Sequence, residues 1–118
     1  MKGVVYMIIP ELFCLTIMEE DWGEKVDDFW IEIEADIGIK GNSDSAEVFT
    51  IYVTSPKRLE NMVEKSGLEI ARGLFIMKDF NIKSVEDRLK KILAHCSRKT
   101  WGETALAISC YAIWEYEN

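Results

Sequence analysis

Hydrophobic positions along this chain change period several times, and each change marks an element. Gly3 to Ile9 (GVVYMII) is a β-branched run stopped by Pro10, which predicts a strand. Glu11 to Met18 is apolar without clear period. Glu19 to Asp28 (EEDWGEKVDD) is acidic, contains a glycine and reads as a loop. From Phe29 to Lys40 (FWIEIEADIGIK) the alternation is strict. Phe29, Ile31, Ile33, Ala35, Ile37 and Ile39 point one way; Trp30, Glu32, Glu34 and Asp36 point the other. Period two over this length predicts a strand with one buried face, covering about residues 28–39.

Turn residues Gly41 to Ser45 follow, and then a second alternating run, Glu47 to Thr54. Phe49, Ile51 and Val53 lie on one face; Val48, Thr50 and Tyr52 lie on the other. Two such runs joined by a short turn predict an antiparallel hairpin. At Ser55-Pro56 the pattern switches to helical, with serine as N-cap and proline at the first position. Leu59, Met62 and Val63 give this helix a narrow apolar stripe, and Gly67 stops it. Gly73 to Met77 (GLFIM) predicts a further buried strand. A second helix is expected from Ser84, with Val85, Leu89, Ile92, Leu93 and Cys96 at helical spacing. A third follows the cap Thr100, with Leu106, Ala107, Cys110 and Tyr111 as its apolar side, and the closing WEYEN predicts a short edge strand.

Without sustained βαβ alternation, this order predicts an α+β fold over 1–118 as one domain. A mainly antiparallel sheet of four to five strands would carry its helices on one face. The row Trp30, Glu32, Glu34 and Asp36 would then occupy the free face. A merely solvated face has no use for the tryptophan, so the row is a candidate contact surface.

Charge sharpens that picture. The chain has 21 acids against 14 bases, a formal net of −7. Residues 1–55 hold 12 acids and 3 bases, so the acidity belongs to the first half. Such a field repels nucleic acid and speeds the approach of basic partners. The three cysteines, Cys14, Cys96 and Cys110, form no CxxC pair, which predicts reduced thiols and a cytoplasmic location. The apolar N-terminus is broken by Pro10 and Glu11 and has no cleavage site of signal-peptide type. No segment has the length of apolar residues that a membrane helix needs.

Chemistry finds little purchase. His95 is the only histidine, and its neighbour Cys96 would not face it on a helix. No paired metal-ligand spacing, phosphate loop or nucleophile motif occurs, so no catalytic residue, cofactor or metal is expected. Two alternatives stay open. One is a small metal- or ligand-binding enzyme using the Glu32, Glu34 and Asp36 carboxylates. The other is a homo-oligomeric scaffold pairing through a strand edge. Three acids in one line resemble a field more than a catalytic pair. Arg88, Lys90, Lys91, Arg98 and Lys99 form a basic cluster that reads as a solvated helix face.

Four stretches also carry a family resemblance: DFWIEIEADIGIKG, VFTIYVTSPKRLE, GLFIMKDFN and TWGETALAISCYAIWEYEN. Together they resemble the immunity protein 8 family of bacterial polymorphic-toxin and contact-dependent inhibition systems, least over residues 1–27. Trp101, Trp114, Glu115 and Tyr116 match the family's closing motif. Thr54-Ser55-Pro56 departs from its threonine-proline helix start by a serine. The resemblance implies a small cytosolic α+β protein, not an enzyme, that binds the toxin domain encoded beside it. Many such toxins are nucleases, whose surfaces are basic because they grip phosphate. The resemblance implies a structural role for Trp101 and Trp114. The expected contacts to a basic toxin C-terminal domain come instead from the residues themselves. They are Glu19, Glu20, Asp21 and Trp22 in the acidic loop; Trp30, Glu32, Glu34 and Asp36 in the row; Asp44 in the turn; and Tyr52 beside the row. Direct contact with nucleic acid or membrane is not expected.

Overall fold

A computed structural model describes residues 6–117. The strictly alternating run forms strand β2 (Phe29–Ile39), which lies between β1 (Pro10–Trp22) and β3 (Glu47–Thr54), antiparallel to both. The other edge of β3 carries two short partners. β4 (Leu74–Ile76) runs parallel to Tyr52–Thr54, and β5 (Ile113–Trp114) runs antiparallel to Phe49 and Thr50. The class is α+β with a five-stranded, mainly antiparallel sheet, as the pattern predicts.

The inward parity of β2 and β3 builds the core. Phe29, Ile31, Ile33, Ala35, Ile37, Phe49, Ile51 and Val53 are all fully buried. Burying one such large side chain stabilises by about 1.5–3 kcal/mol, so a one-residue slip that turned Glu32 and Glu34 inward would be prohibitive. Helices α2 (Ile82–Leu93) and α3 (Trp101–Ile108) supply the other half of the core with Val85, Leu89, Leu93, Ala105 and Ile108.

Helix α1 (Pro56–Ser66) departs from the expected arrangement, because it lies on the opposite face of the sheet. Its Leu59 and Met62 share a cavity of about 250 Å³ with Trp30, Tyr52, Leu74 and Ile113, all on the outer parity. The reason is topological: α1 is the crossover between the parallel strands β3 and β4, and α2 and α3 occupy the other face. Ser55 fixes where α1 starts. Its Oγ accepts from the backbone N–H of Arg58 (3.1 Å) and of Phe29 (3.2 Å), joining helix cap to strand β2. The serine between Thr54 and Pro56 is therefore a buried cap. Gly67, at φ 80°, closes α1 in the left-handed conformation that favours glycine.

Strand β1 differs most from expectation. Of the strand expected over Gly3–Ile9, residues 3–5 lie outside the described residues. Tyr6–Ile9 makes only one bridge, Ile8 with Arg98. Pro10 begins the strand rather than ending one, which the first residue of an edge strand tolerates. β1 then runs through Glu19–Trp22, so the turn is confined to residues 23–28. Its register shifts at Phe13 and at Met18. Each bulge inserts one residue and flips the parity, so Leu12, Leu15, Ile17, Glu20 and Trp22 share the core side. That spacing of three, two, three and two is why no period is visible in the sequence.

Smaller differences have local causes. α2 is capped by Asn81, whose Oδ1 accepts from the N–H groups of Lys83 (2.9 Å) and Ser84 (3.2 Å), one turn before the expected start. β4 is a half-covered edge strand rather than a buried one, with Ile76 56% exposed. α3 ends at Ile108, and its inward stripe is Thr104, Ala105 and Ile108, while Leu106 and Tyr111 face solvent. Thr104 is buried because its Oγ1 donates to the Thr100 carbonyl (2.9 Å) and accepts from the Arg98 N–H (3.1 Å). A satisfied polar residue thus sits where an apolar pattern would not place one.

Candidate functional site

The outward parity of the three long strands assembles a face in cross-strand rows. Cys14, Asp36 and Val48 form one row; Thr16, Glu34 and Thr50 the next; Glu19, Glu32 and Tyr52 the third; Asp21, Trp30 and Thr54 the last. These four rows carry five carboxylates, Glu19, Asp21, Glu32, Glu34 and Asp36; Glu11, opposite Gly38, has the same parity and accepts from the Gly41 N–H (2.9 Å). Glu19 joins them only because of the bulge at Met18. Without it, Met18 would take the outward place beside Glu32.

Glu19 stands directly opposite Glu32. Like charges so placed destabilise a ladder by about 0.2–1 kcal/mol. Among the described residues, none of Glu19, Glu32, Glu34 and Asp36 forms an ion pair or side-chain hydrogen bond. Glu32, Glu34 and Asp36 are half-buried between their strand neighbours, and Glu19 is exposed. The uncompensated potential of the four reinforces itself at the surface.

The other end of the face is compensated. Arg58, on α1, donates to Asp21 (3.2 Å) and to Asp28. Burial works against the Arg58 charge, but its hydrogen bonds to Asp28 and Asp21 outweigh that and raise its hold on the proton. Trp30 packs on Tyr52 with ring centroids 5.3 Å apart, and both line the cavity under α1. Trp30 is therefore a half-buried wall rather than a protruding anchor, and α1 covers the Trp30 end while leaving the acids open.

The remaining expected residues lie elsewhere. Glu20 and Trp22 are on strand β1, not in a loop, and on its core side. Trp22 Nε1 donates to Glu20 Oε1 (3.1 Å) and its ring packs on Phe29 at 5.0 Å. Asp44 sits in the 3₁₀ turn Ser43–Ser45 that joins β2 to β3, away from the rows. Glu47, which the pattern did not single out, accepts from the indole N–H of both Trp101 and Trp114 (3.2 Å to the latter). Both rings pack on buried Phe49. The closing tryptophans thus tie α3 and β5 to the sheet.

The row offers an open charged face and no enclosed site. No set of three His, Cys, Asp or Glu among the described residues is grouped to hold a metal. The three cavities described for this chain are lined by neither Glu32, Glu34 nor Asp36. Cys14 and Cys110 are exposed and Cys96 is buried, all as free thiols. Burial pushes the Cys96 thiol up, and its Sγ donates to the Ile92 carbonyl, so it behaves as a small core residue. In the basic cluster, Lys90 pairs with Glu86 along α2 (3.2 Å). No helix among the described residues is long and apolar enough to cross a membrane.

The sequence model of one family, described as immunity protein 8, matches residues 11–118. No curated protein and no solved structure matches the chain.

Proposed function

This chain belongs to the immunity protein 8 family, and on that premise we propose that it neutralises a basic toxin domain by covering it with the outer face of β1, β2 and β3. Family membership makes it an immunity protein with a toxin for a partner. The finer reading is that the toxin is a nuclease whose phosphate-gripping surface meets Glu19, Glu32, Glu34 and Asp36 in a one-to-one complex. The observation that carries it is the opposition of Glu19 to Glu32 in a row with no compensating base among the described residues. A fold selected for stability alone would not retain that pair. A surface built for a cationic partner would. The cavity between Trp30, Tyr52, Leu59 and Met62 borders the acids and offers room for one apolar side chain of the partner.

Blocking by occlusion requires no chemistry from this chain. The protein needs affinity, a fast approach and a footprint that excludes the toxin's substrate. A unipolar acidic face supplies the approach rate, because steering raises association well above the unassisted value at low salt.

The test is the double variant Glu32→Lys/Glu34→Lys titrated calorimetrically against the cognate toxin domain. Two buried charge contacts reversed in one interface should weaken binding by about a hundredfold or more. The wild type should bind at one copy per toxin. Wild-type affinity in the folded double variant would remove this face as the contact.

A further inference from the structure

We propose that a strand of the partner carrying basic residues adds to the open edge of β1 at Glu19–Trp22 and extends the sheet. This rests on the reading that the partner is a basic toxin domain docking on the acidic face.

β1 is the terminal strand of the sheet and pairs with β2 on one side only. Helix α2 and its neighbours cover only the beginning of β1, where Leu12 and Leu15 pack against the core. From Thr16 to Trp22 every residue is exposed, including Ile17, Met18 and Trp22. A long, uncovered edge with apolar side chains is a template for another strand, and proteins that do not use such an edge blunt it. The bulge at Met18 blunts part of it, because it breaks any ladder running the whole length. What remains continuous is Glu19–Trp22.

Charge then selects the occupant. A second copy pairing antiparallel about Glu20 would set Glu19 against Asp21, Glu20 against Glu20 and Asp21 against Glu19. A parallel, in-register copy would oppose each acid to itself. Both arrangements place like charges directly opposite, so self-pairing is repelled. A strand bearing lysine or arginine reverses every one of those terms. The faces of β1 further specify it. Glu19 and Asp21 point to the outer face; Asp21 is already paired with Arg58, so the added strand would put its base beside Glu19, where Glu32 continues the acidic row. Within the segment Glu20 and Trp22 point to the core side, where the indole N–H of Trp22 donates to Glu20 (3.1 Å), so the alternate residues of the added strand would meet one carboxylate and one indole.

The opposite edge fits less well. β4 is three residues long. The grooves beside it are lined by Arg88 on one side and by Glu60 and Glu64 on the other, so that edge has no single sign.

Amide hydrogen exchange, read residue by residue by NMR on the full chain, tests the proposal. In the free protein the amides of Glu19–Trp22 should alternate, one set bonded to β2 and the other open to solvent. Bound to a catalytically inactivated cognate toxin domain, the open set should slow by about tenfold or more. If the open set keeps its free rates while the side-chain resonances of Glu32 and Glu34 shift, edge addition is wrong and face docking stands. Should neither respond in a formed complex, both fail. A partner-free variant adds an independent check. Glu19→Gln/Glu20→Gln/Asp21→Asn removes the repulsion, so it should self-associate in sedimentation at concentrations where the wild type does not. A folded triple variant that sediments like the wild type would show that this edge cannot accept a strand.

Discussion

The two ends of the outer face carry the same residue types and treat them in opposite ways. Under α1, Asp21 and Asp28 share Arg58, and Trp30 and Tyr52 pack together as cavity wall. A few residues along the same strands, Glu19, Glu32, Glu34 and Asp36 have no partner among the described residues, and two of them face each other. A third carboxylate environment, Glu47 at the closing corner, shows what a fully structural acid looks like, with two indole N–H donors. Acids that hold the fold together have donors beside them. Those without donors are the ones assigned to the partner under the proposed function, and on that reading the contrast separates stability from binding within a single sheet.

The largest effect should come from the structural side. Trp101→Ala removes a ring from Phe49 and a donor from Glu47, and should lower stability by about 3 kcal/mol in urea denaturation with an unchanged m-value. The folded variant should still bind toxin as the wild type does. A large loss of toxin affinity in fully folded protein would blur the division. Ser55→Ala comes next. It deprives the Arg58 and Phe29 N–H groups of their shared acceptor, which should cost about 1–2 kcal/mol. A neutral result would show that another group takes over the cap. The smallest effect is the most discriminating, because its two signs oppose. Glu32→Gln relieves the repulsion with Glu19 and should raise stability by about 0.2–1 kcal/mol while weakening the complex. If stability fell instead, Glu32 would belong with the structural acids.

Much of this was legible in the sequence. Period two gave β2 and β3 their bounds and their inward faces, and Ser55-Pro56 and Gly67 marked α1 at both ends. The family resemblance agrees with the match over residues 11–118. β1 was illegible for a definite reason: two bulges, at Phe13 and Met18, break any fixed period, so its alternation exists only in three dimensions. The same bulges hid the face that Glu19 and Asp21 join. The position of α1 over Trp30 was also out of reach. It follows from the parallel pairing of β3 with β4, a long-range contact that no local pattern announces. The inward side of α3 was hidden because hydrogen bonds, not polarity, decide the burial of Thr104.

The toxin-binding surface proposed for this chain is the set of acids on β1 and β2 without a partner among the described residues, Glu19, Glu32, Glu34 and Asp36. The dissociation constant of the cognate complex, measured across a series of salt concentrations for wild type and Glu32→Lys/Glu34→Lys, tests it most directly. The account predicts a wild-type Kd that rises steeply with salt, and a weaker variant with a much flatter dependence. Two parallel lines of equal affinity would contradict it.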